Sequence, residues 1–133
     1  MNIVFDTNVL ISAFVFGGTS GNVLEFCIEN DDLYVSEWII NEITKVLDSK
    51  FHFPQKEIET IRSLINAGFN IINPHTPLPV LCRDKDDNNI LQLAESIKAN
   101  FIITGDKDLL ILKRYRKTNI VMPSEFLTLF KTE

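Results

Sequence analysis

Residues 99–110, ANFIITGDKDLL, contain the pattern that decides the fold, a short apolar run that changes at once into a polar turn. The run 101–103 is typical of a buried strand, and Asp106 stands in the segment that follows it. Residues 2–10, NIVFDTNVL, repeat this order, with Asp6 directly after the apolar residues. An apolar strand that ends in an acidic turn therefore occurs near each end of the chain.

Short apolar runs alternate with longer helical patterns along the whole chain. The predicted strands are 3–5, 33–35, 101–103 and 120–121, with a weaker candidate at 71–72. The predicted helices are 9–14, 20–29, 37–48, 55–67 and 88–98, a short one from about 107 and a last one near Pro123. Because wholly apolar strands separated by helices indicate a parallel sheet covered on both faces, the sequence predicts a three-layer α/β/α sandwich with a mostly parallel central sheet. We expect residues 1–133 to form one domain.

The composition, with 45% hydrophobic and 23% charged residues, is that of an ordinary globular protein. The N-terminus has no basic region, and no apolar run approaches the ~18 residues of a membrane span, so a cytoplasmic protein without membrane contact is expected. Cys27 and Cys82 form no metal or redox motif and are predicted to be free thiols.

The formal net charge of −5 argues against broad electrostatic binding of nucleic acid, but the basic residues are unevenly placed. Five of the thirteen Lys and Arg residues fall between 107 and 117, namely Lys107, Lys113, Arg114, Arg116 and Lys117. The segment 112–117, LKRYRK, is either the solvated end of a helix followed by a turn, or a surface that steers a polyanion toward a site beside Asp106.

Asp6 and Asp106 are predicted to share one edge of the sheet, since ligands of parallel sheets bind beyond the carboxyl ends of the strands. Asp is also a preferred helix N-cap, so capping explains either residue taken singly.

Glu42 is less easily explained by local structure. Projecting 37–48 at about 100° per residue places it on the apolar arc, between Trp38 and Val46. A buried carboxylate without a partner is costly, which predicts that Glu42 is paired, neutralised or bound to a metal. The alternative is a Glu that reaches solvent beside Lys45.

Three further carboxylates, Asp84, Asp86 and Asp87, crowd the start of the helix at 88–98. Periodicity does not choose between Asp86 and Asp87, and at least one of the three is expected to be only a cap. Because converging carboxylates repel each other, a shared site predicts a bound cation, and Mg²⁺ or Mn²⁺ prefers such oxygen ligands. Two such ions can catalyse phosphodiester hydrolysis.

The chain resembles the PIN-domain ribonucleases, especially the toxins of bacterial and archaeal toxin–antitoxin pairs. The resemblance rests on three segments, IVFDTNVLISA at 3–13, VSEWIINEI at 35–43 and RDKDDNNILQLAESIKANFIITGDKDLL at 83–110. It implies a PIN-like nuclease domain that binds Mg²⁺ or Mn²⁺ and cleaves RNA. The four acids implied to bind metal and catalyse are Asp6, Glu42, Asp87 and Asp106. Asp6, Glu42 and Asp87 are expected to hold the principal ion, and Asp106 to help a second ion or the attacking water.

The resemblance also implies supporting residues and partners. Asn8, Ser36 and Thr104 match polar positions around such sites, Asp108 is an auxiliary acid or a cap, and the basic residues of 107–117 would meet the RNA backbone. A cognate antitoxin and a homodimer are expected as partners. The chain departs from many small toxins in having Leu109 where they place an aromatic, and 49–80 match no motif.

Two other functions were compared with this one. Haloacid-dehalogenase-like phosphatases need a second Asp two residues after the first, and Asn8 occupies that position here, where an amide cannot transfer the proton. A catalytically degenerate PIN fold that binds proteins is the non-enzymatic alternative, and the presence of all four acids disfavours it.

Overall fold

The structure of the protein is a computed structural model that describes residues 1–131, so the last two residues of the predicted domain, 132 and 133, lie outside it. The strands are β1 (Asn2–Phe5), β2 (Asp32–Val35), β3 (Asn70–Ile71), β4 (Phe101–Ile103), β5 (Arg114–Tyr115) and β6 (Thr118–Val121). The helices are α1 (Thr7–Phe16), α2 (Gly18–Asn30), α3 (Glu37–Ser49), α4 (Gln55–Gly68), α5 (Lys85–Ile97), α6 (Lys107–Leu110) and α7 (Pro123–Phe130). The predicted three-layer α/β/α sandwich is confirmed.

The order of the strands in the sheet, β3-β2-β1-β4-β6-β5, determines where a ligand can bind. All neighbouring strands pair in parallel except β5 and β6. The chain builds outward from β1 to β3 and then returns to place β4 on the other side of β1, so the strand order reverses between β1 and β4. A crevice opens beyond the carboxyl ends of the strands at such a reversal, and this crevice lies directly after Phe5 and Ile103.

The apolar faces of the helices close the core on both sides of the sheet. Every residue of β4 is buried, and α3 buries Ile39, Ile40, Ile43 and Leu47, as its periodicity predicts. Cys27 is a buried free thiol and Cys82 a half-buried one. Among residues 1–131 no single helix is long and apolar enough to cross a membrane, and only α1 and α2 together reach that length, across a bend of 106°.

The structure of segment 112–117 is a hairpin, and not the solvated helix end followed by a turn that was one of its two interpretations from sequence. Helix α6 stops at Leu110, and β5 then pairs antiparallel with β6 in a tight hairpin, with Arg116 at φ 53° in the turn. The hairpin is fixed by Glu95 of α5, which accepts a hydrogen bond from the hydroxyl of Tyr115 at 3.0 Å. A two-residue strand has no periodicity of its own, so this distant partner was not visible in the sequence.

Candidate metal centre

Three of the four predicted acids meet in the crevice between β1 and β4. Asp6 directly follows β1, Asp106 directly precedes α6 beyond β4, and Asp87 lies in the first turn of α5. One carboxylate oxygen from each of the three lies within 4.8 Å of the others. This spacing permits one cation to contact all three side chains.

Asp6 is held in the cluster by a neighbouring hydroxyl. It occupies the N-cap position of α1, yet its side chain makes no capping hydrogen bond. Its Oδ2 instead accepts a hydrogen bond from Oγ1 of Thr104 at 2.7 Å. Burial is the main reason that the pKa of Asp6 is raised, and the charge of Asp106 adds to it, while the bond from Thr104 acts in the opposite direction. Capping therefore does not account for this side chain.

Thr104 connects two of the acids through one oxygen atom. Its hydroxyl, which is fully buried, donates to Asp6 and accepts the backbone N–H of Asp106 at 2.9 Å. Because the hydroxyl hydrogen points to Asp6, the lone pairs of Oγ1 are left to accept the N–H of Asp106. The side-chain conformation of Thr104 therefore fixes the positions of both acids relative to each other. The polar role expected for Thr104 is consistent with these contacts.

Asp87 has the least compensated charge in the cluster. Its side chain is 4% exposed, and Oδ2 is buried without a hydrogen-bond partner in the part of the chain that the structure describes. Burial, followed by the charges of Asp106 and Asp6, raises its pKa to about 7. A buried carboxylate oxygen beside two other carboxylates fits a hard divalent cation, which would supply the missing charge and accept the free lone pair.

Two of the acids for which capping was considered, Asp84 and Asp106, do cap helices in the structure. Asp84 caps α5 by accepting the backbone N–H of Asp86 at 2.9 Å, which leaves Asp87 free to face the crevice. Asp106 caps α6 by accepting the backbone N–H of Asp108 at 2.7 Å and still places an oxygen in the cluster. Capping and membership of the cluster are therefore compatible in Asp106.

Glu42 lies on the wall of the same cavity but outside the group of three. The cavity encloses about 120 Å³ and is lined by Glu42 and Asp86 as well as by the three clustered acids. The carboxylate of Glu42 is 3.5 Å from Nζ of Lys45 and remains about a quarter exposed. The pair with Lys45 is the alternative expected for Glu42. The structure brings Asp106, rather than Glu42, together with Asp6 and Asp87, and metal binding by Glu42 stays a prediction.

The remaining polar positions take different places. Asn8 lines the cavity from an exposed position, whereas Ser36 caps α3 by accepting the backbone N–H of Ile39 at 3.2 Å and is not among the residues that line the cavity. Asp108 binds the guanidinium of Arg83. Among the described residues, Ser36 is thus positioned to stabilise a helix that carries Glu42.

Asn88 holds the loop before α5 in place, a role that the sequence analysis did not predict. It is 3% exposed, its Oδ1 accepts the backbone N–H groups of Leu81 and Cys82, and its Nδ2 donates to the carbonyl of Cys82. These bonds attach the irregular segment 72–84 to the start of α5, directly beside Asp87. Projected at about 100° per residue, Asn88 lies between Gln92 and Glu95 on the polar side of α5, so periodicity gave no signal for it.

The predicted basic surface is divided between two edges of the sheet. Lys107 adjoins Asp106, but Arg114, Arg116 and Lys117 belong to the hairpin at the amino end of β6. The acids lie beyond the carboxyl end of β6, about 10 Å along this strand from the turn residues Arg116 and Lys117. Arg114 pairs with Asn119 and is nearer, about 7 Å from that end. Arg116 is also engaged with Glu95 at 2.9 Å. The hairpin is therefore not beside Asp106.

Comparison of the sequence with protein-family profiles identifies the family of this chain. The profile of the PIN domain matches residues 2–108, so the chain belongs to the PIN domain family. The uncharacterized protein MJ1680 of Methanocaldococcus jannaschii is 37% identical over 145 aligned positions, which span 98% of this chain and 92% of that protein. The resemblance to the family predicted from the sequence is thereby confirmed.

A solved structure has the same fold. One chain in the crystal structure of VapBC2 from Rickettsia felis, bound to a DNA fragment from the promoter, superposes with a TM-score of 0.63. The superposition covers 90% of this chain and 97% of that chain at 16% sequence identity.

Proposed function

We propose that the protein is a metal-dependent endoribonuclease that uses Mg²⁺ or Mn²⁺ to hydrolyse RNA phosphodiester bonds. The observation that carries this proposal is the convergence of Asp6, Asp87 and Asp106, with a buried Asp87 oxygen that has no hydrogen-bond partner among the described residues. Proteins of the PIN domain family are generally nucleases, which supports the same reaction class. We place the whole activity in a single domain of residues 1–133 acting in the cytoplasm.

The four acids divide between two tasks in this proposal. Asp6, Asp87 and Asp106 would hold the principal ion, and Glu42 faces the same cavity from α3, where it can bind a second ion or orient a water molecule. A divalent cation bound here supplies electrophilic assistance to the phosphate and favours deprotonation of water. The hydroxyl of Thr104 holds the Asp6 carboxylate and the Asp106 backbone in position. Trp38 forms part of the cavity wall.

The proposal is tested by incubating the purified protein with single-stranded and structured RNAs in Mn²⁺, Mg²⁺ or EDTA. An Asp6→Asn variant purified identically is the control, because it preserves an acceptor for Thr104 while removing a metal-binding charge. We expect cleavage that requires metal and is lost in the variant. Cleavage that persists in EDTA, or that is equal in the variant, would show that a contaminant or another site is responsible.

We also propose that the protein is the toxin of a toxin–antitoxin pair and that an antitoxin is its partner. The similarity in fold to a chain of a VapBC2 assembly supports this role. Co-expression with the product of a neighbouring small gene should yield a complex in which RNA cleavage is suppressed. The homodimer stays a prediction for size measurements in solution.

Thr104→Val should weaken metal binding without removing a ligand. The substitution deletes both hydrogen bonds of the buried hydroxyl, so Asp6 loses its donor and the Asp106 backbone its acceptor. Loss of such a supporting contact lowers metal affinity by roughly 10–100-fold. Calorimetric titration with Mn²⁺ measures the change. Thr104→Ser keeps the hydroxyl and should stay near the wild type; equal weakening in both variants would assign the effect to packing.

Glu42→Gln should reduce cleavage while leaving the first ion bound. Glu42 faces the cavity but lies outside the group of three, so Mn²⁺ affinity at the principal site should change less than with Asp6→Asn. Replacing Glu37, which is exposed on the same helix, by Gln is the matched control. Unchanged cleavage by Glu42→Gln would restrict Glu42 to its contact with Lys45.

A further inference from the structure

The cavity carries more negative charge than metal ions alone would offset. Six carboxylates line it, those of Asp6, Glu42, Asp84, Asp86, Asp87 and Asp106. Two divalent cations bring only four positive charges, and a phosphodiester adds another negative one. Side chains that are positively charged and close to the rim are therefore needed where the RNA backbone enters.

Arg83 is the basic residue whose position meets this need. It lies between Cys82, whose backbone Asn88 fastens to α5, and Asp84, which lines the cavity. Its Nη2 donates to both oxygens of Asp108, at 2.8 and 3.1 Å, so the guanidinium spans from the start of α5 to α6. Its partner Asp108 is two residues in sequence from Asp106, and its neighbour Asp84 lines the cavity, so the guanidinium lies at the rim of the cavity.

The guanidinium of Arg83 is held on one side and free on the other. Both hydrogen bonds to Asp108 use Nη2, and among the described residues Nε and Nη1 have no acceptor. The side chain is 88% exposed, so these remaining N–H groups face solvent. A planar guanidinium with one such open face matches the geometry of phosphate oxygens.

We propose that Arg83 is a contact for an RNA backbone phosphate at the entrance of the acidic cavity, and that Asp108 orients its guanidinium. This inference rests on the proposed ribonuclease function and refines it. The RNA approaches from the α5–α6 side of the crevice, past Arg83 and Lys107. Arg116, in the hairpin turn at the amino end of β6, makes no contact with the phosphate that is cleaved.

The competing explanation is that the Arg83–Asp108 pair only fastens the segment 72–84. Exposed ion pairs stabilise proteins weakly, and either Arg83→Gln or Asp108→Asn would break this one. If its function is structural, the two variants should behave alike. A phosphate contact separates them, because only Arg83→Gln removes a cation from the RNA-binding surface.

The test measures binding of a short end-labelled single-stranded RNA as a function of salt, with Ca²⁺ replacing Mn²⁺ and the RNA checked for integrity. Arg83→Gln should weaken binding by roughly tenfold and lower the slope of log affinity against log salt by about 0.7. Asp108→Asn should keep the wild-type slope, and Arg83→Lys should restore the slope with weaker binding. Arg62→Gln, a half-buried Arg on α4 paired with Glu59, is the control and should change neither.

Three results would overturn the inference, each in a different way. If the wild type cleaves RNA in Mn²⁺ but Arg83→Gln and Asp108→Asn have the same salt slope, Arg83 is a structural residue and the ribonuclease proposal stands. If the wild type neither binds nor cleaves any RNA, the ribonuclease proposal fails and the role of Arg83 fails with it. A slope lowered by charge reversal of Arg114 and Arg116, with Arg83→Gln unchanged, would move the phosphate contact to the hairpin.

Discussion

Replacing Asp87 by Asn is expected to abolish metal-dependent RNA cleavage and, at the same time, to raise the melting temperature of the metal-free protein at pH 8. Cleavage should fall by roughly a thousandfold or more, because a ligand to the catalytic ion is lost. Stability should rise because the substitution removes a buried charge whose Oδ2 has no hydrogen-bond partner among the described residues. The new amide can donate to the carboxylates of Asp6 or Asp106, which lie within reach.

The gain in stability is expected to be about 1 kcal/mol, or roughly 4 °C for a domain of this size. Thermal melts in EDTA and RNA cleavage in Mn²⁺ measure the two effects on the same preparation. Asp48→Asn, at an exposed position on α3, is the matched control and should change neither. A lower melting temperature for Asp87→Asn would mean that Asp87 stabilises the fold through contacts of its carboxylate, and the assignment as a metal ligand would lose its main support.

The stability of the metal-free protein should decrease as the pH rises from about 4 to 7, and added Mn²⁺ should reverse the loss. In the folded chain the pKa of Asp87 is raised from 3.8 to about 7, and that of Asp6 is raised as well. The folded state therefore binds more protons than the unfolded state in this range. Its free energy of unfolding falls as each carboxylate ionises and levels off above the folded pKa.

The increase in stability caused by bound Mn²⁺ should become larger as the pH rises. Because the ligands must be deprotonated to bind, Mn²⁺ should raise the melting temperature little at pH 5 and much more at pH 8. At a free concentration about 100-fold above its dissociation constant, the ion would contribute about 2.7 kcal/mol. Melting curves across this pH series, with EDTA or Mn²⁺, give both trends. The difference between wild type and Asp87→Asn isolates the contribution of this residue, and a pH-independent difference would contradict the raised pKa.

The sheet and most helices could be predicted because their residues carry strong local signals. The apolar runs at 3–5, 33–35 and 101–103 are wholly buried or nearly so, and they became β1, β2 and β4. The positions of Asp6 and Asp106 followed from chain direction alone, since the carboxyl ends of parallel strands share an edge. Helix α5 begins earlier than predicted, at Lys85, because Asp84 caps it.

The features that could not be predicted all depend on contacts between distant segments. Periodicity left Asp86 and Asp87 equivalent, and only the packing of α5 against β1 and β4 turns Asp87 into the crevice. The hairpin at Arg114–Val121 depends on Glu95, which lies on another helix. Nothing in the sequence distinguishes Arg83 from other surface basic residues, and its bond to Asp108 depends on the loop geometry that Asn88 imposes.

The segment 72–84 is held to neighbouring helices by three sets of hydrogen bonds and is exposed between them. Asn73 accepts the N–H that opens α3, Gln92 donates to the carbonyl of Thr76, and Asn88 secures Cys82. Val80, between these anchors, is 90% exposed. Substitutions or insertions there would change the surface presented to RNA or to a partner without displacing the acids. Under the proposed function, the same cluster of acids would in this way serve new targets after changes at a few surface residues.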